Sequence, residues 1–109
     1  IYTGEDTLSL HDALPIFSYA NLYRANLSKA NLYAANLSNA NLRNVNLSDA
    51  NLSYANLSDA KLTYAYLSEA NLSSIKINSE TNFDYTIFEN NNLENVDLSI
   101  AKIDLAIFK

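Results

Sequence analysis

The sequence has no cysteine, methionine or tryptophan, and only one glycine, one proline and one histidine among its 109 residues. Without cysteine, the chain has no disulfide framework, no thiolate zinc site and no cysteine nucleophile. No apolar run approaches the roughly 20 residues that a bilayer-spanning helix needs, so we expect no membrane partner. A chain of this length forms one domain at most, and it buries a core only if its architecture is economical.

The first sixteen residues, IYTGEDTLSLHDALPI, resemble a translated short-read sequencing adapter. Fixed adapter bases encode Ile1, Tyr2 and, without a mismatch, Thr7 through Ile16, and a variable index accounts for most of the codons between them. Foreign segments are excluded from fold reasoning. We therefore expect residues 1–16 to be a non-native, irregular leader on a fragment of a longer bacterial protein from a metagenomic source. The alternative is an ordinary N-terminal cap, which repeat proteins need.

Excluding this leader changes the composition that matters. The leader holds the only glycine, proline and histidine, and three of the twelve acidic residues. Nine acidic residues then remain against seven basic ones, so the formal net charge falls from −5 to −2. A region without histidine, cysteine or glycine offers no nucleophilic triad, histidine metal site or glycine-rich phosphate loop. We expect no enzyme, no cofactor and no metal.

A five-residue repeat governs the rest of the chain. Eleven near-identical units of the form Ala-Asn-Leu-x-x run from Ala20 to Ser74. With Phe17 as the first central residue and one extra residue near Glu80, the period reaches the end of the chain as nineteen repeats. Five residues advance about 500° on an α-helix, so the leucines would form no stripe. On a straight strand they would alternate between faces. The leucines share one interior only if the chain bends in the same sense once per repeat.

If each bend is about a right angle, four repeats close one coil, and the next coil stacks about 4.8 Å away. Leu27 and Leu47 then lie in one inward column, as do all central residues four repeats apart. The alanine two positions before each leucine also points inward, and the asparagine between them points outward. We expect the stacked asparagines to form a hydrogen-bonded amide ladder. The lack of glycine and proline predicts one backbone geometry for all corners.

Three later repeats carry polar residues at the inward alanine position: Thr81, Thr86 and Asn91. Buried polar groups need hydrogen-bond partners. We therefore expect these coils to be less stable or locally distorted.

The Ala-Asn-Leu-x-x units resemble those of the pentapeptide repeat family. The resemblance covers Phe17 to Lys109, strictly through Ser74 and more loosely afterwards. It implies an all-β fold, a right-handed quadrilateral parallel β-helix, here a pentapeptide repeat solenoid of about five coils over residues 17–109. Fold does not fix function, and we expect a non-enzymatic structural or protein-interaction module with an unspecified protein partner.

Two other functions stay open at this point. Some members of the family mimic a DNA duplex, bind DNA gyrase and confer quinolone resistance or toxin immunity, which requires a strongly negative surface. The asparagine face could instead bind an ordered ligand such as ice or a polysaccharide. Without a basic patch we expect no direct nucleic-acid binding. With the native N-terminus missing, location defaults to the cytoplasm.

One corner column is the candidate interaction surface. On four-fold stacking, Arg24, Asn44, Tyr64 and Tyr85 lie at the same corner, and the two tyrosines come from adjacent coils. Amphipathic aromatic residues are enriched in interfaces, although they could merely cover neighbouring coils. The apolar segment Ile103 to Phe108 is a second candidate, for end-to-end self-association.

The inward columns make Leu57 a sensitive position. We expect Leu57→Asp in a middle coil to unfold or shorten the rod, because it buries an unpaired charge. Circular dichroism and thermal melting measure this loss. A variant with the wild-type spectrum and melting temperature would contradict the columns.

Overall fold

The structure is a computed structural model that describes residues 15–109 of the chain. The proposed leader therefore lies outside the described residues, except for Pro15 and Ile16. These two residues already pair with the next coil: Ile16 bridges Asn36, and the Asn36 N–H donates to the Pro15 carbonyl at 2.9 Å. The adapter origin of residues 1–16 stays a prediction.

The chain winds into stacked parallel coils with four repeats in each coil. Parallel bridges join residues 20 apart, from Ile16 with Asn36 up to Asn56 with Lys76. One wall is five rungs deep and consists of Asn21, Asn41, Lys61, Asn82 and Lys102. The predicted common column is confirmed, because Asn26 bridges Asn46 and the neighbouring Leu27 and Leu47 are both fully buried.

Regular elements are short because a corner interrupts every wall after about three residues. Strand β1 spans Ile87–Phe88, and strand β2 spans Ile107–Phe108. The two strands pair in parallel, with Ile87 opposite Ile107. Elsewhere in residues 15–109, each wall contributes isolated bridges. A 3-10 helix covers Leu98–Ile100.

The core is a stack of leucines lined by alanines. Between Leu22 and Leu72, every central leucine is buried, and most have no exposed surface at all. Phe83 and Phe88 replace leucine in the later coils and contact each other edge to face, with ring centroids 5.3 Å apart. Each such side chain contributes about 1.5–3 kcal/mol on burial. Stability is therefore distributed along the axis, as in other solenoids.

A repeat that contains the wall asparagine satisfies all five of its backbone N–H groups. In the repeat spanning residues 40–44, two N–H groups donate to the following coil, one donates to the preceding coil and one closes the turn before it. The remaining donor, the N–H of Arg43, faces neither coil and donates to the side-chain oxygen of Asn41. These five donor–acceptor distances lie between 2.8 and 3.3 Å. Asparagine is thus favoured at this position because its side chain gives that backbone donor a partner.

The expected amide ladder is wrong. The side-chain oxygen of each wall asparagine accepts from the N–H two residues later in its own coil, as Asn26 does from Ser28 at 3.1 Å. This local bond is an Asx turn. Among residues 15–109, one hydrogen bond joins wall asparagine side chains of neighbouring coils, from Asn41 Nδ2 to Asn21 Oδ1 at 3.2 Å. The asparagine oxygen bonds within its own coil because the backbone N–H two residues later has no other acceptor in the protein.

Most corners share one geometry, but not all. Fifteen non-glycine residues, one at each of fifteen corners, have φ between 53° and 65°. A positive φ at the third residue of a four-residue turn is the mark of a type II turn. The corner at Leu98–Ile100 is instead a 3-10 helix, capped by Asp97. The Ser99 hydroxyl and N–H both donate to the Asp97 carboxylate, which lowers the pKa of that side chain.

The extra residue near Glu80 lies in a corner. Bridges span 20 residues before this corner and 21 across it, as in the pair Lys61 with Asn82. The turn itself is formed by Ser79 and Glu80, both of which are exposed. The insertion is therefore absorbed at the surface, and the bridges span 20 residues again from Asn82 to Lys102.

The polar inward residues find partners inside the rod. Thr81 and Thr86 are fully buried, and their hydroxyls donate to the carbonyls of Leu57 and Leu62 in the preceding coil, at 2.8 and 2.5 Å. Asn91 Nδ2 donates to Leu67 and Ala70, but its Oδ1 is buried without a partner. The threonines fit because each donates to a carbonyl that remains accessible. Among these three residues, the buried polar atom without a partner is thus the Asn91 Oδ1.

Two adjacent alanines allow the effect of corner strain on stability to be measured separately from the effect of core burial. Ala34 has φ of 54°, whereas Ala35 is fully buried behind the corner. A left-handed alanine costs about 1–2 kcal/mol, part of which glycine's greater unfolded-state freedom offsets. We expect Ala34→Gly to raise the free energy of unfolding by up to about 1 kcal/mol.

The matched control is Ala35→Gly, which we expect to lower the free energy of unfolding by about 1–2 kcal/mol through the lost buried methyl and the freer backbone. Urea unfolding measures both variants. Shifts of the same sign in the two variants would refute this account of the corner.

Candidate interaction surface

Four sequence-predicted residues lie together at one corner of the rod. Arg24, Asn44, Tyr64 and Tyr85 are all exposed and all adopt the left-handed corner conformation, with φ between 58° and 64°. Backbone bonds stack the corner: the Tyr64 N–H donates to the Asp84 carbonyl of the next coil at 3.2 Å. The coil period thus makes one surface from residues about 20 positions apart.

The two tyrosines of this corner stack on each other. The rings of Tyr64 and Tyr85 are nearly parallel, with centroids 4.8 Å apart and planes 6° apart. Tyr64 is 54% exposed and Tyr85 is 40% exposed. The two stacked rings therefore expose a flat apolar surface, together with their hydroxyl groups, to solvent. Aromatic side chains of this kind supply large contact area with little conformational entropy to lose.

Two further residues complete the surface, and the sequence analysis missed both. Tyr23 and Arg43 each precede a residue of the predicted column by one position. The guanidinium carbons of Arg24 and Arg43 lie 5.6 and 5.5 Å from the Tyr23 ring centroid, within the range of cation–π contacts. We call the whole set the aromatic corner; it consists of Tyr23, Arg24, Arg43, Asn44, Tyr64 and Tyr85. The 20-residue period could have revealed the contact, because it stacks Tyr23 on Arg43.

A hydrogen-bonded network fixes Arg43 beside Tyr23. Arg43 Nε donates to Asn41 Oδ1 at 3.0 Å, and Asn41 Nδ2 donates to Asn21 Oδ1. That same Asn21 oxygen accepts from the Tyr23 N–H at 3.2 Å. Asn44 is different, since its side chain makes no hydrogen bond within residues 15–109. It contributes exposed polar surface and is not part of this network.

A second, smaller group of exposed aromatic residues lies elsewhere in residues 15–109. Tyr33 and Tyr54 meet edge to face at a different corner, with centroids 5.7 Å apart. In the described part of the chain, the single ion pair joins Lys102 to Glu80 at 3.2 Å. Over the same residues, no group of potential ligands could hold a metal ion, and no helix is long and apolar enough to cross a bilayer.

The segment Ile103 to Phe108 is also exposed in part. Leu105, Ile107 and Phe108 are each at least 40% exposed, and Phe108 stacks on Phe88 at 5.0 Å. Self-association through this segment stays a prediction.

Stacked four-sided coils with a leucine core and paired walls define a β-solenoid. The profile of the pentapeptide repeats matches eight copies in this chain, over residues 17–49 and 40–76. The chain belongs to the pentapeptide repeat family. The right-handed β-helix that the resemblance implied is the fold of that family.

Solved structures of the same family are similar to this chain. A pentapeptide repeat protein from the Arabidopsis thaliana thylakoid lumen is 23% identical, with a TM-score of 0.41. Rfr23 from the cyanobacterium Cyanothece 51142 is 30% identical, with a TM-score of 0.37. QnrB1, a plasmid-mediated fluoroquinolone resistance protein, is 17% identical, also at 0.37. No curated protein matches the chain.

The matched region covers a larger share of this chain than of the proteins it is similar to. The similarity covers 77%, 83% and 86% of this chain in the plant protein, Rfr23 and QnrB1, respectively. It covers 61%, 65% and 59% of those proteins in the same order. The chain therefore spans less than two thirds of each of them.

The stacked tyrosines should be energetically coupled. In a double-mutant cycle of Tyr64→Ala and Tyr85→Ala, we expect a coupling free energy of about 0.5–1.5 kcal/mol, the usual range for aromatic pairs. Urea unfolding of the two single variants and the double variant measures it. A cycle of Tyr64→Ala with Tyr54→Ala, at different corners, serves as the control and should show coupling near zero. Equal coupling in both cycles would mean that the stack contributes nothing specific.

Proposed function

We propose that this chain is a non-enzymatic protein-interaction module, a rod of about five coils that binds a protein partner through the aromatic corner. The observation that supports this most directly is the exposed, parallel stack of Tyr64 and Tyr85. Exposed aromatic rings lose hydration readily and are over-represented among residues that dominate binding energy. The arginines beside Tyr23 add the second residue type that such interfaces favour.

The rigid backbone behind this corner favours the same role. Each residue of the column is held by hydrogen bonds to the neighbouring coils. A preorganised surface loses little entropy on binding. Among the described residues, titratable side chains form no buried acid–base pair. Lys29, Asp49 and Glu69 stack in one column at another corner, and all three are exposed. Solvated charges of this kind suit a surface better than a catalytic centre.

The charge pattern does not favour mimicry of DNA. Duplex mimicry needs a continuous negative field that imitates phosphate spacing. Here Arg24, Arg43, Lys61 and Lys102 lie along one wall and its corner. The asparagine walls favour an ordered ligand less than first expected, because their side-chain oxygens already accept backbone hydrogen bonds.

A comparison of two tyrosine pairs tests the interaction surface. The wild type, the Tyr64→Ala/Tyr85→Ala variant and the Tyr33→Ala/Tyr54→Ala variant are each immobilised and exposed to a bacterial lysate, and bound proteins are quantified by mass spectrometry. Truncating residues that dominate an interface weakens binding by about thirtyfold or more. We expect a specific protein to bind the wild type and the Tyr33/Tyr54 variant and to be lost from the Tyr64/Tyr85 variant.

Equal retention of every bound protein by the two variants would contradict the proposed surface. A second arm adds the purified chain to a DNA gyrase supercoiling reaction. Inhibition at low micromolar concentration would favour the DNA-mimic function instead.

A further inference from the structure

One wall of the rod departs from the asparagine rule beside the aromatic corner. At the third rung of that wall, Lys61 stands where the repeat has asparagine. A lysine side chain has no acceptor atom. The N–H of Thr63, two residues later, therefore lacks the partner that Asn41 gives to Arg43 one coil earlier. In the described part of the chain, this N–H donates to no protein group.

A concavity opens at this position. Its volume is about 360 Å³, and its lining comprises Arg43, Asp59, Lys61, Thr63, Glu80, Asn82 and Lys102. Glu80 is paired with Lys102 at 3.2 Å. This pairing leaves two cations, Arg43 and Lys61, against one carboxylate, Asp59. Thr63, Lys61 and Arg43, which carry a backbone N–H without a protein acceptor, an ammonium and a guanidinium, thus line one concavity.

Arg43 is already held in place for binding. Its Nε is fixed on Asn41 Oδ1 at 3.0 Å, and its guanidinium lies over the Tyr23 ring. Neither of its terminal nitrogens makes a hydrogen bond or ion pair within residues 15–109. A guanidinium anchored in this way presents two parallel donors that match two oxygens of a carboxylate or phosphate.

We propose that this concavity binds an oxyanion, a carboxylate or a phosphate, whose oxygen accepts from the Thr63 N–H in place of the missing asparagine oxygen. Arg43 donates to the oxyanion through its terminal nitrogens, and Lys61 supplies the second positive charge. Backbone N–H groups with nearby cations are a recurring anion site in proteins. Binding of a free anion needs no protein partner, so it is independent of the proposed interaction function.

Replacing Lys61 with asparagine restores the repeat and should remove the anion site without disturbing the fold. In Lys61→Asn, the new carboxamide oxygen accepts from the Thr63 N–H and one cation is removed. Tyr66→Asn is the matched control, because Tyr66 also replaces a wall asparagine. The Ser68 N–H likewise donates to no protein group among the described residues, but no arginine lies in that wall. A third variant, Arg43→Gln, removes the guanidinium and leaves the Thr63 N–H free.

The experiment is a two-dimensional ¹⁵N–¹H NMR titration of the full chain with acetate and, separately, with inorganic phosphate, each at constant ionic strength. We expect a saturable shift of the Thr63 amide and the Arg43 Nε–H in wild type and in Tyr66→Asn, with the same dissociation constant. Lys61→Asn should abolish it, and Arg43→Gln should weaken it about tenfold or more, as expected for a charge-assisted bond.

The two titrations distinguish a carboxylate ligand from a phosphate ligand by which anion binds more tightly. The site is refuted if neither anion shifts the Thr63 amide saturably. Binding to Lys61→Asn with the wild-type dissociation constant would refute it as well.

Discussion

Most corners of this rod carry a hydrogen bond between an asparagine side-chain oxygen and the backbone N–H two residues later. Four of the five N–H groups in a repeat find carbonyls in their own or a neighbouring coil. The fifth faces outward at the corner, and within the protein it donates to the asparagine side chain. Short polar side chains that bond the backbone two residues on are favoured in turns for this reason. The bond stabilises the corner but does not by itself bend the chain, because the corners at Tyr64 and Glu69 have the same left-handed φ without it.

The same bond links the structure to its surface chemistry. Where asparagine is present, as at Asn41, the backbone N–H at the corner has a partner and the side chain adds no charge to the wall. Where lysine replaces it, as at position 61, the fold loses an acceptor and gains both a free donor and a charge. The core tolerates this change because the coil-to-coil bonds on either side of Lys61 remain, at 2.8 and 3.0 Å. A departure from the repeat therefore changes the surface chemistry of a wall without changing the coil.

Much of the fold was predictable because its signal is periodic. A leucine at every fifth position excludes both helix and straight strand, so the chain must bend in the same sense once per repeat. The inward columns then followed from four repeats to a coil, which the family resemblance implies. The adjacency of Tyr64 and Tyr85 followed from the same count. The prediction of an amide ladder was wrong. A wall asparagine can hydrogen-bond to the next coil or to the backbone of its own corner, and the sequence does not show which of the two bonds forms. The backbone donor decides, since leaving it unpaired costs more than leaving an exposed amide in water.

The sequence by itself determined the five-residue repeat and its inward leucines and alanines. With four repeats to a coil, as the family resemblance implies, it also assigned each surface residue to a corner. Only the tertiary structure decided how side chains use that arrangement: Arg43 anchored over Tyr23, the threonine hydroxyls turned onto carbonyls of the coil beneath, and the insertion absorbed between Asn78 and Thr81. The physical reason is that spacing fixes which residues are neighbours, whereas rotamers and competing hydrogen bonds fix which neighbours interact. The latter depend on groups about 20 residues away, which exist side by side only after the chain has coiled.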